Sequence, residues 1–468
     1  MDIGGDSFSV KVIENEVVHA EEAWNEEHWL PFTNFDLLVP PLEIGSIFFY
    51  KKPAHAASFF TIVNTLKASL SRALALYPPL AGEIAWNGAA GENQIHCNNR
   101  GVYFIQAVAD VMLKELNLYN PDECIEGKLM PKKLLHGGVL AIQVTRLKCD
   151  GIVIGIMVDH RIVDGYSANM FISSWADITR SKTPSMIPSF ERSYLKPRSP
   201  TVYSPLIDNV FAPLLPPSSN PDINDLGKEN GDEYPHVNRV YYIEGEQLRS
   251  LQLLVNENGA RRYSKLVAIT SFLWKQVALS MENSGKQNEA CNVIVAVDGR
   301  RKLSEKEGEE KEKLMMSHFG NVLSMPFGSK KPQELKEMSL SNVATTVQEF
   351  LQPATTKEHF LDIIDWVEEQ KPRPLISKAL IDGRMSFTVS AGQKFETMDK
   401  IDFGWGKVAF GSCHVPKSRK DCFVMTMGSP TNDEDWVVYM HMPLMHMSFI
   451  EAHASHVFKP LDTPYILI

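Results

Sequence analysis

Gly151-Ile152-Val153-Ile154-Gly155-Ile156-Met157-Val158-Asp159-His160-Arg161-Ile162-Val163-Asp164-Gly165 is the stretch on which both fold and chemistry turn. Its first eight residues form an unbroken apolar run, too short to span a membrane and the right length for a strand buried on both faces. Asp159-His160-Arg161 ends the run, so an imidazole stands just past a buried strand, at the mouth of a turn. Gly165 permits a tight backbone path into GYSANMFISSWADITR, 165–180, which reads as a helix. A near-neutral imidazole suits proton abstraction from a hydroxyl or an amine. The carboxylate of Asp164 can either orient that ring or offset a nearby cation, and the spacing alone leaves both open. His-x-x-x-Asp by itself more often marks a structural histidine beside a surface aspartate. The buried strand before it and the glycine and helix after it weigh against that meaning here.

Working outward, VLAIQVTRLKC at 139–149 precedes a Cys-Asp-Gly turn and predicts a hairpin with 151–158. Alternation over 8–19 and SIFFYKK at 46–52 predict two more strands. FFTIVNTLKASLSRALALY, 59–77, spaces apolar residues three and four apart and predicts an amphipathic helix that Pro78-Pro79 stops. From Pro188 to Tyr234 the chain is rich in Pro, Ser, Asn and Asp, as a linker would be. The pattern then restarts: VYYIEG as a strand, 264–281 as a helix, NVIVAVDGRRKL as a strand and turn, and DWVVYMHMP at 435–443 as a strand. KEGEEKEK at 306–313 reads as a solvated loop. Strands and helices alternate in both halves, which predicts a mixed α/β (α+β) class. The expected division is a lobe over 1–215 carrying His160, a linker over 216–235 and a second lobe over 236–468.

The length supports two lobes: the chain has 468 residues, and a single core rarely grows past roughly 250–300. A hydrophobic share of 44% against 22% charged excludes wholesale disorder. The net charge of −10 argues against nucleic acid as a partner. The N-terminus lacks a basic region followed by an apolar core, Asp2 follows Met1, and PYILI fits no prenylation box. No apolar run reaches the length of a membrane span. A cytoplasmic protein with reduced, packed thiols is expected, since none of the six cysteines forms a CxxC pair. The histidines are dispersed, so no metal site is expected.

Three further segments stand out. Asp402-Phe403-Gly404-Trp405-Gly406-Lys407 reads as a sharp turn held by ring packing. Leu76-Tyr77-Pro78-Pro79-Leu80-Ala81-Gly82-Glu83 is a helix stop. Val297-Asp298-Gly299-Arg300-Arg301 is a strand ending in a basic turn that could hold a phosphate or an internal carboxylate.

Together these segments resemble the plant BAHD acyltransferases. His160 to Gly165 matches that family's HxxxDG motif, and Asp402 to Gly406 matches DFGWG in full. LYPPLAGE, VDGRRK, His318-Phe319-Gly320-Asn321 and the helix opening Ser264-Lys265 match as well, so the resemblance spans nearly the whole chain. It implies a two-lobe fold related to chloramphenicol acetyltransferase with a channel between the lobes. The segment around 402–406 is expected to pack on the first lobe. It also implies a monomer that uses acyl-CoA as co-substrate, with no tightly bound cofactor, and acylates a small-molecule alcohol or amine. His160 would be the general base. Asp164 would pair with an arginine, Arg300 with the adjacent Arg301 as the alternative, and stiffen the loop beside Gly165. Asp402 is grouped with His160 in the catalytic set, yet Asp402, Gly404 and Trp405 match a motif that the family keeps away from the chemistry and read as a brace. Ser264 and Lys265 would sit near the CoA phosphates, and Ser46, Phe48 and Ser390 along the acceptor channel. Thr388-Val389-Ser390-Ala391-Gly392-Gln393 lacks the tryptophan that several members carry before DFGWG. Its S-x-G-Q pattern, with DWVVYMHMP and SHVFKPL, looks more like the coniferyl-alcohol acyltransferase branch. Two other readings stand beside O-acylation: amide formation on an amine or polyamine, and a catalytically silent binding member of the fold.

Overall fold

The structure, a computed structural model, describes residues 8–465 apart from 22–25, 54–57, 133, 135–137, 215–234, 258–261, 382–383, 393–396 and 463–464. The expected linker over 216–235 therefore lies, except for Pro235, outside the described residues. The apolar run forms the strand Ile152–Asp159, buried at every position. It lies inside a six-stranded sheet ordered Val10–Val18, Val102–Ala109, Leu140–Arg146, Ile152–Asp159, Glu43–Tyr50, Phe410–His414. The last of these comes from far along the chain and pairs antiparallel with Glu43–Tyr50, just after the 402–406 motif.

Successive strand residues point to opposite faces, and the sheet uses both. Phe48 and Tyr50 face the helices Phe59–Leu76 and Gly165–Thr179, in a core with Leu66, Leu70, Phe171 and Trp175. Ile47 and Phe49 face the other way and pack with Val240, Val437 and Tyr439. Those three belong to a seven-stranded sheet ordered Phe327–Lys330, Cys291–Val295, Met385–Ala391, Cys422–Gly428, Trp436–Pro443, His236–Ile243, Lys459–Pro460. Its outer face, with Tyr241, Val438 and Met440, is covered by the helices Gly245–Val255, Lys265–Asn283, Leu340–Leu351 and Leu444–His453. The result is helix, sheet, sheet, helix. No helix among the described residues is long and apolar enough to cross a membrane.

One local expectation is corrected. The charged run at 306–313 is no loop: Glu309–Ser317 is a helix. Gly308, at φ +94°, opens it. Glu309, Glu310 and Glu312 in the first turn suit the positive end of the helix dipole. Lys311 pairs with Glu307 at 3.3 Å, and buried Met315 anchors the helix. The charges mark a solvated face, and a solvated face can be helical.

Candidate active site

The site is built where the strand Ile152–Asp159 runs out. The His160 N–H donates to the Leu42 carbonyl at 2.9 Å, one step beyond the strand pairing. Asp159 turns back on Arg161, accepting from its backbone N–H (3.0 Å) and from Nε (3.0 Å) and Nη2 (2.6 Å). Ile162 and Val163 drop into the helix-side core. Asp164 then becomes the N-cap of the helix Gly165–Thr179, accepting from the Ser167 N–H at 2.9 Å.

The Asp164 carboxylate faces a guanidinium, not the imidazole. Arg300 grips it with two bonds, Nη1 to Oδ2 at 2.8 Å and Nη2 to Oδ1 at 3.1 Å, and the Val322 N–H adds a third at 3.2 Å. Arg300 and Asp164 are 0% and 1% exposed, whereas Arg301 is exposed. Arg300 also donates to the Gly320 carbonyl (2.8 Å) and the Ser167 hydroxyl (2.9 Å), and its guanidinium carbon lies 4.5 Å from the Tyr166 ring centre. Burial alone would raise the Asp164 pKa, but the Arg300 charge and these hydrogen bonds outweigh it and hold the carboxyl below its usual range. The VDGRR turn thus holds an internal carboxylate. Gly320, at φ +148°, permits the path that aims its carbonyl at Arg300; a Cβ there would meet His318 Nε2 at 3.1 Å. The Asn321 side-chain amide donates to the carbonyls of His160 and Arg161, at 2.9 and 3.2 Å.

His160 itself is half-buried. Its Nδ1 is buried with no hydrogen-bond partner among the described residues. Burial lowers its pKa first of all, Arg419 lowers it further, and its own carbonyl, Asp164 and Asp159 pull the other way. The net direction is downward, which favours the neutral ring. Arg419 reaches this region from the second half of the chain. It donates through Nη1 to the Glu43 carbonyl at 3.3 Å and pairs with Asp421. Glu43 is the register partner of Asp159.

Inside the helix-side core, under this loop, is a water-sized void lined by Ile44, Leu140, Val158, Val163 and Phe171, among other apolar side chains, and by Ser46; His160 is not among its lining residues. Phe48, two positions after Ser46, is buried in the core and does not line it. Ser390, half-buried on the strand Met385–Ala391, gives its carbonyl to the Thr426 hydroxyl at 3.2 Å. Ser264 is exposed and caps the helix Lys265–Asn283 through the Val267 N–H at 3.2 Å, with Lys265 as the first helical residue.

Among the described residues, Asp402, grouped with His160 in the sequence reading, has bracing contacts. Its Oδ1 accepts from the Gly404 and Gly406 N–H groups at 2.8 and 3.0 Å, and Arg180 lies 3.6 Å from Oδ2. Gly404 and Gly406 have φ of +102° and +117°, which fits a turn only glycine takes easily. Phe403 stands edge-on to Trp175, with centroids 4.8 Å apart, and Trp405 edge-on to Tyr50 at 5.9 Å. Arg180 is the C-cap of the helix Gly165–Thr179. At 1.5 Å per residue, that puts Asp402 roughly 20 Å along the helix from the loop it begins at.

Sequence reasoning passed over Asp36, Ser167, Tyr166 and Arg419. Ser167 and Tyr166 sit in plain view inside the helix, but their partner is an arginine from far along the chain. Asp36, which accepts from the Asn321 backbone N–H at 3.0 Å, carried a weak signal in Thr33-x-x-Asp36, a side-chain-capped turn.

Comparison with known proteins gives the family and the fold. Residues 8–457 match the family described as Transferase family. The chain is 28% identical over 404 residues to a hydroxycinnamoyltransferase of Narcissus pseudonarcissus, covering 84% of this chain and 86% of that one. It is 26% identical over 460 residues to anthranilate N-benzoyltransferase protein 1 of Dianthus caryophyllus, covering 90% and 96%. The fold is similar to that of vinorine synthase, with a TM-score of 0.71 over 97% of this chain and 99% of the other at 18% identity. The chain belongs to the Transferase family, the plant BAHD acyltransferases, and is an acyl-CoA-dependent acyltransferase.

Proposed function

We propose that this protein transfers an acyl group from acyl-CoA to the hydroxyl of a small molecule of plant specialised metabolism, with His160 as general base. The carrying observation is the half-buried His160 imidazole at the end of a buried strand, in a loop whose carboxylate Asp164 is engaged by Arg300 and not by the ring. His160 takes the hydroxyl proton as the oxygen attacks the thioester carbonyl. The tetrahedral intermediate collapses with cleavage of the C–S bond, and the imidazolium returns its proton to the CoA sulfur. Such base catalysis contributes about 10²–10⁴-fold, and alignment of the two substrates supplies much of the rest. No acyl-enzyme is invoked: burial pushes the Cys97, Cys124 and Cys291 thiols up to about 12, far from the thiolate a nucleophile needs. All six cysteines are free, which suits a reducing cytoplasm.

The two sheets, in this reading, belong to two lobes, and the CoA phosphates sit at the helix start Ser264-Lys265, where backbone N–H groups and a cation converge. Ser46 and Ser390 border the acceptor path. An amine is the second reading, favoured by the N-benzoyltransferase relative. The test is a matrix of acetyl-, malonyl-, benzoyl- and hydroxycinnamoyl-CoA against phenylpropanoid alcohols, aromatic amines and polyamines, read by free-thiol release and product mass. Ester products are expected. Amide products alone would install the second reading, and no thiol release with any pair would favour a silent binding member.

A further inference from the structure

We propose that Asn321, held by Asp36, is a positioning residue for His160: its amide fixes the main chain at the start of the catalytic loop and so the direction of the ring. The inference rests on His160 as the base. Nδ1 is buried with no side-chain or distant partner among the described residues, and the backbone group that acts on the ring is His160's own carbonyl, so its aim depends on where the backbone puts it. The backbone is tied at both ends of the loop by one short segment, His318 to Val322. Toward the end of the loop, the Val322 N–H and Arg300, itself bound to the Gly320 carbonyl, hold Asp164. At its start, Asn321 Nδ2 donates to the His160 and Arg161 carbonyls.

The amide is committed to this task. Nδ2 has three acceptors in reach, the third being Asp36 Oδ1 at 2.9 Å. Asn321 Oδ1 is buried and has no partner among the described residues. A flipped amide would set that oxygen against all three acceptors, so the orientation follows from the network. A buried acceptor left unmatched is a cost, and here it accompanies bonds to the catalytic main chain. Asp36 is equally committed. Its Oδ1 also takes the Asn321 backbone N–H (3.0 Å), and its Oδ2 takes the Thr33 N–H and hydroxyl (2.8 Å each) and Arg192 Nη1 (3.2 Å). Asn321 and Asp36 are 0% and 2% exposed, so water does not compete for these bonds.

The test uses the full chain with whichever acyl-CoA and alcohol turn over fastest in the matrix above. Asn321→Ala removes the donor and opens a cavity; Asn321→Leu removes it at nearly constant volume. Both are expected to lower kcat about a hundredfold, the scale of a misplacement near 1 Å, with the KM for acyl-CoA within twofold and a cooperative thermal transition retained. A merely structural residue would leave kcat alone or move both constants as the protein loosens. Folded variants with kcat within threefold of the parent overturn the proposal, and so does failure of both to fold, which would make Asn321 a folding residue. His160→Ala, assayed in parallel, separates the layers. If it turns over, the base reading itself fails. If it is dead while the Asn321 variants are active, only the present proposal falls.

Discussion

As the proposed base, His160 must be neutral to accept a proton, and its surroundings favour that form: burial, with the Arg419 charge, outweighs its own carbonyl, Asp164 and Asp159. The acid limb of kcat/KM is therefore expected below the ordinary histidine value of about 6.5, with activity level through neutrality. A limb at or above that value in a pH profile would contradict it. His160→Ala is expected to lose about 10²–10⁴-fold or more in turnover while melting like the parent. Asp164→Ala should do the opposite kind of damage. It removes the two-bonded partner of the fully buried Arg300 guanidinium and leaves it the exposed Asp298 carboxylate at 3.1 Å; removing one member of a buried pair costs about 3–5 kcal/mol, which urea unfolding would read. The sequence made His160 and Asp164 legible, because a strand running into a glycine-led helix is a local pattern. Whether the carboxylate orients the ring or answers a cation is not local, since the spacing serves both. The resemblance favoured Arg300 without deciding against Arg301, and the fold decides: besides Asp298 and the Ser167 hydroxyl, Arg300 reaches the carbonyls of His318 and Gly320, and backbone carbonyls leave no mark in a sequence.

The helix Gly165–Thr179 carries the site at one end and is braced at the other. Asp164 caps its start, Arg180 its finish, and the Asp402–Gly406 turn fastens the finish to the sheet through Phe403 and Trp405. Phe403→Ala is expected to cost about 3–5 kcal/mol, as for other buried aromatics, since Phe403 is 2% exposed against Trp175 and Tyr50. Asp402→Ala, in a half-buried turn, should cost about 1–3 kcal/mol. Both variants should keep kcat within a few fold at a temperature where they stay folded. Denaturation midpoints and initial rates on the same preparations check this, and a hundredfold loss of kcat in folded Asp402→Ala would return that residue to the chemistry. At this scale the sequence was most readable where one periodicity persisted, as over Phe59–Leu76 and Lys265–Asn283. It failed at Glu309–Ser317, where the apolar period is nearly absent and helix formation rests on a glycine, a dipole and one buried methionine.

Across the whole molecule, acid should act through buried rings rather than through the surface. His318, His359, His441 and His446 each have a pKa lowered to about 4, burial being the largest cause in all four. Arg300 adds to it at His318 and His236 at His441. In the unfolded chain these rings titrate near 6.5. The unfolded state therefore takes up protons first as pH falls, and stability conferred by the neutral rings, complete above about 6.5, is lost progressively between there and about 4. Each ring adds up to about 1.4 kcal/mol per pH unit to the slope inside that window. Carboxylates such as Asp164, whose pKa lies below the usual range, keep their contribution until the pH is lower still. Urea midpoints at pH 7.5, 6.5, 5.5 and 4.5 should thus hold level over the first step and then fall steeply. His359→Gln tests the assignment, because its ring pairs with buried Ser324 at 2.7 Å and glutamine can still reach a hydroxyl. That variant should be somewhat less stable at pH 7.5 and lose stability less steeply below 6.5, by about one proton. A profile flat from 7.5 to 5 in the parent, or an unchanged slope in the variant, would mean that these rings do not stay neutral in the folded protein.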